Sequence, residues 1–231
     1  MKRLKQFFGL GIVFFASSFS AQAYDTKEAF EPGLSNAEAH ADGSFGESQG
    51  IGNEMVIGYG ASRYFNPALV MGWGTDFDTQ GVGFGLESLA TIYSGEVDFD
   101  LIPFAQSSFV EGTTTISLGL AGEISRTFNR FTPYFQAGLS YDSDRFVRSG
   151  MGEFALGTAY IVSPTFEPFA QAGWQPKAEF EEEAQALGLG LNIHIHNAEF
   201  LTHLEYQRTP AEELEQLNAH IGVIMTLDQN T

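Results

Sequence analysis

Side-chain polarity in this chain alternates with a period of two, in segments of roughly ten residues separated by turn signals. Residues 114–125 place Ile116, Leu118, Leu120 and Ile124 on one face and Thr115, Ser117, Gly119, Ala121, Glu123 and Ser125 on the other. Residues 187–196 repeat the pattern: Leu187, Leu189, Leu191, Ile193 and Ile195 oppose Gly188, Gly190, Asn192, His194 and His196. Near the C-terminus Leu217, Ala219, Ile221, Val223, Met225 and Leu227 oppose Asn218, His220, Gly222, Ile224 and Thr226. A period of two is the signature of a strand with two unlike faces, and a helix cannot use it. The chain is therefore all-β.

The second face decides between sandwich and barrel. A soluble sandwich shows charged, Lys-rich faces to water. Here that face is Gly, Ala, Ser, Thr, Gln and carboxylate, with almost no Lys. Small polar residues suit a lumen, and the apolar face then meets lipid. Charged residues are only 17% of the 231-residue chain, while 22 residues are Phe and 26 are Gly, which is odd for a soluble domain and ordinary for a membrane barrel. A closed barrel also satisfies every backbone group inside a bilayer. With no cysteine there is no disulfide scaffold, thiolate metal site, cysteine nucleophile or lipid anchor on cysteine. A net charge of −18 repels phosphate and argues against nucleic acid as a partner.

The N-terminus reads as an address. Lys2, Arg3 and Lys5 precede an apolar run from Phe7 to Phe19, and Ala21-Gln22-Ala23 is an A-x-A cleavage site. Residues 1–23 are expected to be a Sec signal peptide, removed on export. The apolar run is short of the ~20 residues of a spanning helix. Cleavage would take the net charge from −18 to −21 by loss of those three basic residues. Residues 24–50 form an acidic, Gly/Ala/Ser-rich segment that holds a weak first strand near 35–46, and residues 51–231 form the barrel.

Link lengths suggest an order. The links near 63–66, 93–95, 128–130, 163–165 and 197 are short. Those at 78–81, 143–149, 177–185 and 209–216 are longer and polar, with 110–112 an exception. Such alternation fits short periplasmic turns and longer outer loops. Eleven segments from residue 53 onward plus the weak first strand give a transmembrane antiparallel up-and-down β-barrel of about twelve strands, with ten the second choice. An internal repeat supports it. Phe131-Thr-Pro-Tyr-Phe-Gln-Ala-Gly138 matches Phe166-Glu-Pro-Phe-Ala-Gln-Ala-Gly173, and Pro103-Phe-Ala-Gln106 is a partial third copy. Gln106, Gln136 and Gln171 would then face the lumen. Aromatics gather at segment ends as two candidate girdles: Tyr64, Phe65, Tyr93, Phe128, Phe131 and Phe166 at one, Trp73, Phe77, Phe109, Tyr141 and Trp174 at the other.

The signal peptide, the strand TPYFQAGLSYD (132–142) and the hairpin GNEMVIGYGASRYFNPALVMGW (52–73) resemble Gram-negative outer-membrane β-barrel proteins. The strand is similar to one in OmpA-like small barrels. The hairpin is similar to one in a family named after the MetA pathway of phenol degradation, usually described as outer-membrane transporters. The resemblance implies an outer-membrane location, lipid and lipopolysaccharide as surroundings, and insertion by the barrel-assembly machinery. Such barrels usually end in an aromatic residue; this chain ends in Asp-Gln-Asn-Thr231 instead.

Two constellations could carry chemistry. Glu54, Glu87, Glu96, Asp98, Asp100, Glu123, Glu153, Glu199 and Glu205 fall on the inferred lumen face, with almost no basic residue beside them. They would make a water-filled lumen that favours small cationic solutes, or they would be hydrogen-bonded inside a plugged one. His194, His196, His203 and His220, with Glu199 and Glu205, could bind Zn²⁺ or a similar ion. No cofactor is called for. Lipid A deacylases carry a His-x-Ser-Asn-Ala segment that His194-Ile-His-Asn-Ala198 faintly resembles. The nucleophilic serine position is His196 here, and without it that mechanism fails. Acidic stretches at Glu179–Glu183 and at Glu212, Glu213 and Glu215 are candidate divalent-ion binders among the lipopolysaccharide, or solvated loop tips. Three readings follow: a non-enzymatic channel or binding barrel for small solutes, a structural or adhesion-type barrel with a plugged lumen and functional outer loops, and a soluble secreted β protein.

Overall fold

The computed structural model describes residues 35–46, 49–62, 64–75, 80–143, 148–176, 183–210 and 214–227. The expected signal peptide, the rest of the segment before residue 35, the glutamates at 179–182 and Glu212 and Glu213 lie outside them. Twelve strands run in chain order: β1 Ser35–Gly46, β2 Gly50–Tyr59, β3 Phe65–Thr75, β4 Gln80–Tyr93, β5 Asp98–Val110, β6 Thr113–Ser125, β7 Phe131–Ser143, β8 Arg148–Tyr160, β9 Phe166–Gln175, β10 Ala184–Ile195, β11 Ala198–Thr209 and β12 Leu214–Leu227. Each pairs antiparallel with its sequence neighbours, and β1 pairs with β12 to close the barrel. Twelve is the count that alternation predicts, and the weak first strand is real.

Closure sets the inside and the outside. The outer face is an apolar band in which Leu86, Leu118, Leu139, Leu156, Leu187 and Leu189 are each more than half exposed. A patch of that extent cannot face water in a stable soluble monomer, so its solvent is lipid. This excludes the soluble reading. Phe128, Phe131, Phe166, Tyr64 and Tyr93 stand outward at one rim, and Trp73, Phe109, Tyr141 and Trp174 at the other. Several are in contact: Phe154 stacks on Trp174 with ring centroids 5.7 Å apart, and Phe131 meets Tyr160 in a tilted pair at 4.7 Å.

The expected contrast in link length does not survive. Links at the rim where β1 begins and β12 ends are 60–64, 94–97, 126–130, 161–165 and 196–197. Those at the other rim are 47–49, 76–79, 111–112, 144–147, 176–183 and 210–213, and only 176–183 is long. The strands reach 14 residues, beyond the ~9–11 that span a bilayer. Polar residues that read as loop, such as 148–149 and 215–216, are strand residues.

Candidate functional site

The functional surface is the inner wall, and alternation decides what lines it. The residues that pair across neighbouring strands share a face. Counting from the buried members, inward positions include Glu38 and Asp42 on β1, Glu54 on β2 and Glu87 on β4. They continue with Asp98 and Asp100 on β5, Glu123 on β6, Glu167 on β9, and Glu199 and Glu205 on β11. Among the described residues no inward strand position holds Lys or Arg. Gln106, Gln136 and Gln171 also point inward, on the alternate strands β5, β7 and β9 that carry the sequence repeat.

Two expected lumen residues are elsewhere. Glu96 sits in the link between β4 and β5, its side chain 87% exposed and 3.5 Å from Arg126. The segment SGEV is turn, so alternation does not extend through it. His196 occupies the two-residue turn between β10 and β11, exposed, with φ of 56°. The hairpin closes there, so His194 and His196 do not share a strand face. The backbone of Glu153 is paired with Gly138, while its side chain lies outside the described residues.

The inner wall is less uniformly polar than expected. Tyr134, Ala159, Phe169 and Leu201 form a buried apolar cluster over β7 to β11. Phe104 and Phe169 depart from the lipid-facing role expected of phenylalanine. Glycines explain how such rings fit. A Cβ on Gly119 would lie 2.1 Å from Phe104, one on Gly157 2.1 Å from Tyr134, and one on Gly190 2.1 Å from Phe169. Each ring therefore lies along the wall over the neighbouring strand.

Hydrogen bonds tie the polar groups into three sets. Asp100 and Glu123 are register partners on β5 and β6, and both are buried. Gln136 donates to Glu123 at 2.8 Å. Asp100 accepts from Thr91, and its Oδ1 finds no partner among the described residues. In the second set, His194 on β10 stands between Glu167 and Glu199, 3.6 Å and 3.4 Å away. The third set is a belt. Tyr134 donates to Gln171 at 3.0 Å, and Gln171 lies 3.4 Å from His203. His203 is the register partner of His220. His220 meets Asp42 at 2.5 Å and His40 at 3.2 Å, and His40 meets Glu38 at 3.2 Å. Glu38 in turn accepts from Asn36. The belt crosses the seam where β12 meets β1.

Asn36, Glu38, His40, Asp42 and Glu167 are not among the residues expected from sequence. The signal for the first four was present: Asn36, Glu38, His40, Asp42 and Ser44 alternate with Ala37, Ala39, Ala41 and Gly43. The outward half between Ser35 and Phe45 is only Ala and Gly, so hydropathy alone marks it poorly. Among the described residues no three His, Asp or Glu side chains stand ready to hold a metal ion, so the four predicted histidines are not gathered into one such site.

No protein-family model matches the sequence, and no curated protein matches it. Solved structures do. The translocator domain of the autotransporter NalP from Neisseria meningitidis aligns with a TM-score of 0.65 at 14% identity, over 94% of this chain and 96% of that one. An outer membrane channel from Pseudomonas putida F1 aligns at 0.66 and 9% identity, over 87% and 98%. A KdgM porin in complex with disordered oligogalacturonate aligns at 0.56 and 10%, over 83% and 99%. The fold is that of outer-membrane β-barrels. At such identities the likeness is one of architecture.

Proposed function

We propose that this chain is a channel of a Gram-negative outer membrane, non-enzymatic, with an acidic lumen that prefers small cationic solutes. The observation that carries this reading is the sign of the inner wall: ten inward carboxylates named above and, among the described residues, no inward Lys or Arg. A wall of one sign inside a low-dielectric shell concentrates counter-ions and repels co-ions. The similar KdgM porin is described with oligogalacturonate, a polyanion; the wall of the present barrel would repel such a ligand. The large inward rings lie along the wall rather than across the lumen, which favours passage. Export by the N-terminal signal, insertion by the barrel-assembly machinery, and surroundings of lipid and lipopolysaccharide complete the proposal.

The test is conductance of the purified, folded protein in planar bilayers under a salt gradient. A reversal potential of the sign that cations set supports the reading. Steady anion-selective current would overturn it. A second reading, a structural barrel with a plugged lumen, is favoured by the near-complete burial of Tyr134 (2% exposed) and Leu201 (1%). Silent bilayers from protein that shows heat-modifiable migration would select it.

A further inference from the structure

The geometry points to a transition-metal site on the inner wall at the β1–β12 seam, formed by Nδ1 of His40 and Nε2 of His220. It differs from the four-histidine set expected from sequence, and it goes beyond the channel reading without depending on it. The two nitrogens are 3.2 Å apart. Two nitrogens each ~2.0–2.1 Å from a tetrahedral Zn²⁺ lie about 3.3 Å apart, so the pair already has the bite of two ligands.

The outer nitrogens strengthen the case. His220 uses Nδ1 on Asp42 at 2.5 Å, and His40 uses Nε2 on Glu38 at 3.2 Å. A carboxylate can only accept, so each ring gives its outer N–H away. The inner nitrogens face each other, and each offers a lone pair to a metal ion in the tautomer whose outer nitrogen carries the ring proton. Imidazole held by a carboxylate on its other nitrogen is also the arrangement that orients and strengthens metal-binding histidine.

Space and charge agree. Both inner nitrogens converge over Gly222, where a Cβ would lie 2.5 Å from His40 Nδ1 and 3.3 Å from His220 Nε2. Glu54 is the register partner of His40 on β2 and adds a third carboxyl group to the neighbourhood. With two protein ligands the remaining coordination positions go to water or to an arriving solute. Nitrogen donors select Zn²⁺, Ni²⁺ or Cu²⁺ over Ca²⁺ and Mg²⁺.

The experiment is a calorimetric titration of the untagged, folded protein with Zn²⁺ in the presence of excess Ca²⁺. One saturable site is expected. His40→Gln and His220→Gln should each weaken it at least about tenfold, and so should Asp42→Asn, which leaves both ligands in place. Gly222→Ala should do the same by pushing the two rings off their positions. Heat-modifiable migration reports that each variant has folded. A second readout, the visible absorption of bound Co²⁺, needs no comparison of affinities and should vanish in the His40→Gln/His220→Gln double variant. No saturable uptake by the parent protein, or uptake unchanged in that double variant, overturns the proposal. Binding at equilibrium needs no conducting lumen, so failure here leaves the channel reading intact, and silent bilayers would leave this site intact.

Discussion

Gly190 has no side chain because Phe169 and a backbone oxygen already occupy its space. A Cβ there would stand 2.1 Å from the ring and 2.7 Å from the carbonyl oxygen of Thr202. The ring end can swing, but the ladder carbonyl cannot without breaking its pairing. Gly52 is the useful contrast, since its nearest neighbours would be 3.8 Å away. Gly190→Ala should therefore destabilise the barrel by about 1–3 kcal/mol through overpacking. Gly52→Ala should be neutral or gain ~0.5–1 kcal/mol, as a strand glycine without a steric reason does. Reversible urea unfolding in lipid vesicles measures both, and equal effects would remove the steric argument. Gln136 makes a different kind of prediction. Its amide donates to the buried Glu123 at 2.8 Å. Gln136→Leu keeps the volume and deletes the donor, which should cost about 1–3 kcal/mol by the same measurement. Gln136→Glu should be worse, because it puts a second carboxylate against the first.

A strand of this barrel is two surfaces read in turn, and its outer half can be tested apart from its inner half. On β6, Leu120 lies near the centre of the strand and Thr114 near its end, both outward. Leu120→Arg should cost about 2–4 kcal/mol because it places a cation at mid-bilayer, while Thr114→Arg should cost ~0–1 kcal/mol at the interface. Equal costs would mean that the band is not in lipid. The same two-surface logic explains what could be read from sequence. Strands such as β6, β10 and β12 carry Leu, Ile and Val on one face, so both their existence and their inward residues were legible. On β1 the outward face between Ser35 and Phe45 is Ala37, Ala39, Ala41 and Gly43, and only the count of strands required a strand there. Its inward residues stayed hidden with it. His40 meets His220 across 180 positions of sequence. Local pattern gives a face but not the register between chain ends, so no spacing rule could have brought those rings together. Turns were the other blind spot. Glu96 and His196 fit the parity of their neighbours, yet the chain reverses at both, and a reversal cancels the parity argument.

At the scale of the whole molecule the acidic excess becomes a question of where charge sits. The chain carries −18, and a substantial part of its negative charge points into one cylinder, with histidine the only basic residue type described at inward positions. That arrangement makes a prediction that a uniformly acidic surface does not. The field of inward carboxylates reaches about one Debye length, ~10 Å at 0.1 M salt and ~3 Å at 1 M. At low salt it reaches well into the lumen from every wall, so cation preference should be strong. At 1 M it shrinks to a layer on the wall, and ions on the axis should pass with much weaker discrimination. The reversal potential, measured at a fixed concentration ratio, should therefore fall as absolute salt rises. Replacing Glu87 and Asp98, inward on β4 and β5, with Gln and Asn should lower the preference at 0.1 M and change little at 1 M, because at high salt their charge is already screened. Selectivity that holds constant with salt would point instead to a narrow constriction where an ion touches its ligands, and would move the determinant from the wall's field to a single ring of residues.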